Sequence, residues 1–205
     1  MLFSGSLTAM ISGAVIVLVT ITVHELAHGY TAYLLGDNTA KNAGRLSLNP
    51  LAHLDPLGAI LLFVTGFGWA KPVPINPFYF KGSRSRGILL VSLAGPLSNV
   101  VLAFVLAMFV PLAARFNMSL AQIIASAIYL NIYMAIFNLL PIPPLDGSKI
   151  LAVVLPDRAY LRLMRYERFG MIIIMALVCF GALSNVLDGA IGWVFQLFCR
   201  IVGFY

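Results

Sequence analysis

Long apolar runs, separated by short connectors that carry the charge, make up most of the chain. About 20 consecutive apolar residues cross the hydrocarbon core of a bilayer as a helix. Four regions reach that length, at about residues 7–35, 87–114, 120–140 and from Phe169 to the C-terminus. In the last of them Asp188, Gly189 and Gly192 predict a division into one full span and a shorter apolar helix that crosses or lies at the interface. Residues 36–86 follow a different pattern. Two β-friendly pieces, 44–48 and 72–75, each run into an Asn-Pro pair and enclose an apolar stretch, 57–69, that is too short to span. The stretch is expected to be re-entrant or interfacial, with its flanks pairing as a small sheet so that backbone polar groups at that depth are satisfied. The predicted fold is an all-α polytopic membrane protein with a three-helix core, a small membrane-associated β element and one or two additional C-terminal helices.

Composition places this pattern in a bilayer. The 205 residues are 61% apolar and 10% charged, against roughly 45–50% and about 25% in soluble domains. Mean hydropathy is +0.97. No polar or Pro/Ser-rich stretch is long enough to link a second soluble domain, so residues 1–205 are expected to form one membrane-embedded unit. The net charge of +6 does not point to nucleic acid, because the thirteen Lys and Arg are spread through the connectors. That spread follows the bias of basic residues toward cytoplasmic loops. Lys41, Arg45, Lys71, Lys81, Arg84 and Arg86 flank the short stretch, and Arg158, Arg162, Arg165 and Arg168 follow the third span. Both connectors are therefore expected in the cytoplasm, with the N-terminus outside, and the four arginines of the second are expected to form an anchoring face beside anionic headgroups. The first charged residue is Glu25 and the first basic one is Lys41, unlike the basic start of a secretory signal, so the first span is expected to stay as a membrane helix. Cys179 and Cys199 lie in apolar segments, where packing is their expected role.

The first span contains His24-Glu25-Leu26-Ala27-His28, an H-E-x-x-H pattern. Histidines four apart share a helix face. Both imidazoles can then reach one zinc ion, while Glu25, about 100° round the helix from His24, addresses a water on the metal and not the metal itself. Zinc lowers the pKa of such a water toward about 7, and a carboxylate takes its proton. A single buried histidine would be read as a packing residue; three ionisable groups together at membrane depth are costly and point to function. A catalytic zinc commonly takes three protein ligands. The other His and carboxylate residues are Asp37, His53, Asp55, Asp146, Asp157, Glu167 and Asp188. Asp146 stands out, because it follows the third span in Asn138-Leu139-Leu140-Pro141-Ile142-Pro143-Pro144-Leu145-Asp146-Gly147, where three prolines prevent a regular helix. Such a break can aim a carboxylate into the bilayer, and the apolar piece 150–155 keeps the chain there.

These residues resemble the site-2 protease family of intramembrane zinc metalloproteases. The resemblance rests on His24-Glu25-Leu26-Ala27-His28 in a membrane helix and, far downstream, on Asn138-x-x-Pro141-x-Pro143-x-Leu145-Asp146-Gly147. Gly95-Pro96-Leu97-Ser98-Asn99 in the second span and residues 44–75 support it. It implies a three-helix core holding one Zn2+ through His24, His28 and Asp146, with Glu25 activating water against a peptide bond of a membrane-anchored protein. It also implies that Asn138 binds substrate or stabilises the developing oxyanion, the alternative being an interhelical hydrogen bond. Many family members carry a PDZ domain, for which the chain has no room. A compact form suits a bacterial or archaeal inner membrane, with the site toward the cytoplasm.

Smaller expectations surround this site. His53, just before the re-entrant stretch, is an oxyanion donor, an alternative ligand or a solvated loop residue. Asp55 caps the helix that follows it, and Gly95 and Pro96 permit a kink and close packing. A peptide bond inside a helix is shielded, so substrate is expected to bind in extended form by adding to 44–48 or 72–75. Two other functions use the same residues. A metal-binding membrane transporter would not need Glu25 as a carboxylate off the metal, and a non-proteolytic scaffold would need no metal.

Overall fold

The computed structural model describes residues 7–65, 68–156, 158–159, 162, 165, 167–181 and 184–203. Its helices are α1 (Leu7–Leu34), α2 (Thr39–Asn42), α3 (Pro56–Thr65), α4 (Arg84–Phe116), α5 (Met118–Asn138), α6 (Asp146–Val154), α7 (Glu167–Cys179) and α8 (Ser184–Val202). Helices α1, α4 and α5 are long and apolar enough to cross a membrane. At 1.5 Å per residue the 28 residues of α1 and 33 of α4 extend about 42 and 50 Å. Both exceed a hydrocarbon core of about 30 Å, so each is long enough to cross with tilt or overhang.

The three helices run alternately up and down. Lys81 N–H donates to the Leu35 carbonyl at 2.7 Å, which brings the start of α4 to the end of α1. Between α4 and α5 the reversal is a single residue, Asn117, whose side chain accepts the Ser119 N–H at 2.8 Å and caps α5. Helix α4 is the central element, packed against α1, α5 and α6, and α8 covers α5 and part of α4. Ala103 and Ala107 of α4, Ile128 and Ile132 of α5, and Ile191 and Phe198 of α8 share one apolar cluster with Ile174 of α7.

Two sequence expectations are corrected here. The break in the C-terminal region falls after α7, near Gly181 (φ +67°), and not at Asp188. Asp188, Gly189 and Gly192 all lie inside α8, where Asp188 accepts the Tyr129 hydroxyl at 3.2 Å and so has a partner without breaking the helix. The second correction concerns the small β element. Residues 44–48 and 72–75 form no strands, and among the described residues the strand-like pairing is an isolated antiparallel bridge between Leu54 and Ala70. Prolines account for this, since Pro72 and Pro74 have no N–H to give to a ladder. Pro50 and Pro77 instead open 3-10 turns, Pro50–His53 and Pro77–Tyr79, capped by Asn49 and Asn76, whose side chains accept the Leu51 and Phe78 N–H groups at 3.1 Å.

The stretch between these pieces is helical in its first part and short. Helix α3 has ten residues, about 15 Å, and cannot span. The Leu54–Ala70 bridge joins its two flanks at one place. Asp55 caps it as expected, accepting the Gly58 N–H at 2.9 Å. Asp37, fully buried, accepts the Asn76 N–H at 2.6 Å and the Thr39 N–H at 2.9 Å, fastening the extended 71–76 segment to the end of α1.

Candidate metal centre

Spacing on α1 turns His24 and His28 to one face, and both are buried, with their Nε2 atoms 3.0 Å apart. They lie partway along the helix, His24 about 15 Å of helix axis before Leu34. The third group arrives from the far end of the chain. Helix α5 stops at Asn138, the proline-rich residues 139–145 turn back, and Asp146 is the first residue of α6. Gly147 permits that turn, because a Cβ there would lie 2.2 Å from the Leu139 carbonyl oxygen. A carboxylate in the first turn of a helix is also favoured by the helix dipole. Asp146 Oδ2 lies 3.2 Å from His24 Nε2 and 3.0 Å from His28 Nε2, and Lys149 Nζ holds Oδ1 at 3.2 Å. A single carboxylate oxygen therefore faces the two imidazoles.

This donor set fits zinc. Two imidazole nitrogens and one carboxylate oxygen, all within 4.8 Å of one another, form a group able to hold a metal ion. Bonds of about 2.0–2.1 Å in a tetrahedron set neighbouring ligands about 3.3 Å apart, and three protein ligands leave the fourth position open. The observed separations need only a slight outward shift.

Glu25 stays out of the cluster. Its Oε2 accepts the Val73 N–H at 2.8 Å, and it lines a cavity of about 550 Å³ together with His24, His28, Asn138, Asp146 and Lys149. Trp69, Ala70, Val73 and Ile75 line the same cavity. Asn138 reaches the cavity too, with its Nδ2 donating to the Met134 carbonyl of its own helix at 2.9 Å. The interhelical bond is made instead by Asn131, which donates to the Thr20 hydroxyl at 3.0 Å.

His53 is not brought to the site. It is neither a cavity residue nor a solvated one: it is 1% exposed and its Nε2 meets the Ser47 carbonyl at 2.8 Å. Asp37, Asp55 and Asp188 have the partners described above; Asp157 and the side chain of Glu167 lie outside the described residues. Charge counting missed Lys149, which reads as one more connector cation until its position one turn after Asp146 is noticed. Helix α4 also does more than pack. The Val91 carbonyl accepts the His28 Nδ1–H at 2.7 Å, Asn99 Nδ2 lies 3.2 Å from His24 Nδ1, and Gly95 sits between them.

Residues 112–183 match the family model described as Peptidase family M50. The "Putative zinc metalloprotease YwhC" of Bacillus subtilis is 45% identical over 168 residues, which cover 78% of this chain and 76% of that protein. The chain belongs to peptidase family M50. Two proteins named "Putative zinc metalloprotease Rip2" are 30% identical, over 87% of this chain and 71% of the protein from Mycolicibacterium smegmatis, and over 95% and 76% for that from Mycobacterium tuberculosis. No solved structure matches. As an M50 member with three helices able to cross a bilayer, the chain is a membrane zinc metalloprotease, and the resemblance to the site-2 proteases is borne out.

Proposed function

We propose that His24, His28 and Asp146 hold the zinc of this M50 protease, and that Glu25 is the general base with which it hydrolyses peptide bonds of membrane-anchored proteins. The observation that carries the reading is the convergence of two Nε2 atoms and one Oδ2 within 3.0–3.2 Å, beside a cavity that Glu25 also lines. Held there, zinc supplies a Lewis acid that acidifies water and polarises the scissile carbonyl. Glu25, anchored through Oε2 on the Val73 N–H, keeps Oε1 for the proton of the attacking water and returns that proton to the leaving amine. Asn138 gives one amide hydrogen to Met134 and keeps the other for the developing oxyanion. The direct test measures zinc content and cleavage of a transmembrane substrate panel by the detergent-purified protein. Stoichiometric zinc with cleavage supports the reading, and a protein that holds no zinc ends it.

The proposed location is a prokaryotic inner membrane with the site toward the cytoplasm. The end at which α1 stops and α4 starts carries Lys41, Lys71, Lys81, Arg84 and Arg86, and loops rich in such residues stay inside. Leu48 is exposed at this end. A Leu48→Cys protein should react with a membrane-impermeant thiol reagent in inverted vesicles and not in intact cells, and reaction in intact cells would reverse the orientation.

Gly95 offers a second check on the ligands. A Cβ there would lie 2.4 Å from His28 Nε2 and 2.7 Å from His24 Cε1. Alanine suits a helix interior better than glycine by about 0.5–1 kcal/mol. The helix itself accepts the change, while the clash must displace the imidazoles, so a Gly95→Ala protein that folds by gel filtration should bind zinc at least roughly tenfold more weakly in chelator competition, the scale on which a disturbed metal shell responds. Unchanged affinity would mean that these imidazoles are not the ligands.

A further inference from the structure

Both imidazoles are backed by one stripe of α4. Val91, Gly95 and Asn99 are spaced i, i+4, i+8 and so share a helix face. A histidine that binds metal through Nε2 must carry its proton on Nδ1, and that proton needs an acceptor which holds the ring in place. For His28 the acceptor is the Val91 carbonyl at 2.7 Å. For His24 the neighbouring group is the Asn99 carboxamide, which is completely buried. Its Nδ2 faces His24 Nδ1 at 3.2 Å, while its Oδ1 is buried without a partner among the described residues.

A buried amide oxygen without a partner costs about 1–3 kcal/mol. Half a turn about the Cβ–Cγ bond sets Oδ1 against Nδ1 and puts Nδ2 in the unpartnered position instead, since the two ends of the amide have nearly the same shape, so the count of hydrogen bonds alone does not choose between the two orientations. The same turn makes Nδ1 the protonated nitrogen and leaves the Nε2 lone pair facing His28 and Asp146. The metal chemistry asks for this arrangement, because a His24 that binds zinc through Nε2 carries its proton on Nδ1 and Oδ1 is the acceptor at hand.

From this we infer that Asn99 is a positioning residue of the metal centre, accepting the His24 Nδ1–H through Oδ1 and so presenting His24 Nε2 to zinc. The inference rests on the proposed ligand set. Asn99 touches neither substrate nor the metal; it acts through His24, as the Val91 carbonyl acts through His28.

The test is zinc affinity of purified full-length protein by chelator competition, for wild type, His24→Ala, Asn99→Leu and Asn99→Asp. Loss of an outer partner of a metal-bound histidine lowers affinity by about 10–100-fold. Asn99→Leu, similar in size and without an acceptor, should show that loss. Asn99→Asp, which keeps the acceptor, should hold zinc within a few fold of wild type or more tightly. Should Asn99→Leu not fold, Asn99→Ala carries the same expectation, with folding judged by gel filtration and thermal melting of the zinc-free forms. A folded Leu or Ala variant that binds zinc as wild type does would overturn the role of Asn99, provided His24→Ala has lost zinc. If His24→Ala keeps zinc, the ligand set has failed and the inference goes with it.

Discussion

Glu25→Gln is expected to lower cleavage by roughly 100- to 10,000-fold, the usual contribution of a general base, and to leave zinc content unchanged. Glutamine preserves the shape of the side chain and can still accept the Val73 N–H, so the cavity wall and the three-ligand cluster stay in place. What it loses is the ability to take a proton from water. The measurement is zinc by metal analysis beside turnover of a transmembrane substrate. Zinc lost together with activity would make Glu25 a ligand, against its separation from the cluster. Retained cleavage would remove it as the base, and retained metal transport without any cleavage would favour the transporter.

Asp146→Ala should lose both zinc and cleavage. Asp146 Oδ2 is the contact that both Nε2 atoms share, and no other carboxylate among the described residues joins that group. Removing a direct ligand should cost more affinity than the about 10–100-fold that follows loss of an outer partner. It also strips Lys149 of its partner, setting a cation free in the cavity beside the metal, which further disfavours a divalent ion. Zinc retained at wild-type affinity in a folded Asp146→Ala protein would mean that the third ligand lies elsewhere.

Much of this protein could be read along the chain. Helices α1, α4 and α5 were legible because a span through lipid is a long apolar run with few charges, bounded by charge or proline. His24, Glu25 and His28 were legible because one helix holds all three, so their relative directions follow from the turn of the helix alone. Asp146 could be picked out from the proline break before it, although 118 residues separate it from His28. The β element was misjudged because β-friendly composition was weighed without counting which residues still had an N–H to pair.

Sequence by itself determined the membrane class, the three spans and the candidate chemistry, since each follows from local composition or from spacing within one element. Tertiary structure alone decided what stands around that chemistry. His53 and Asn131, polar residues like any other along the chain, went to a loop carbonyl and to an interhelical bond, while Lys149, Val73, Val91 and Asn99 came to the site. Those assignments depend on how α4, α6 and the 71–76 segment pack against α1, and distances across such contacts are set by the fit of whole surfaces, which no short stretch of residues encodes.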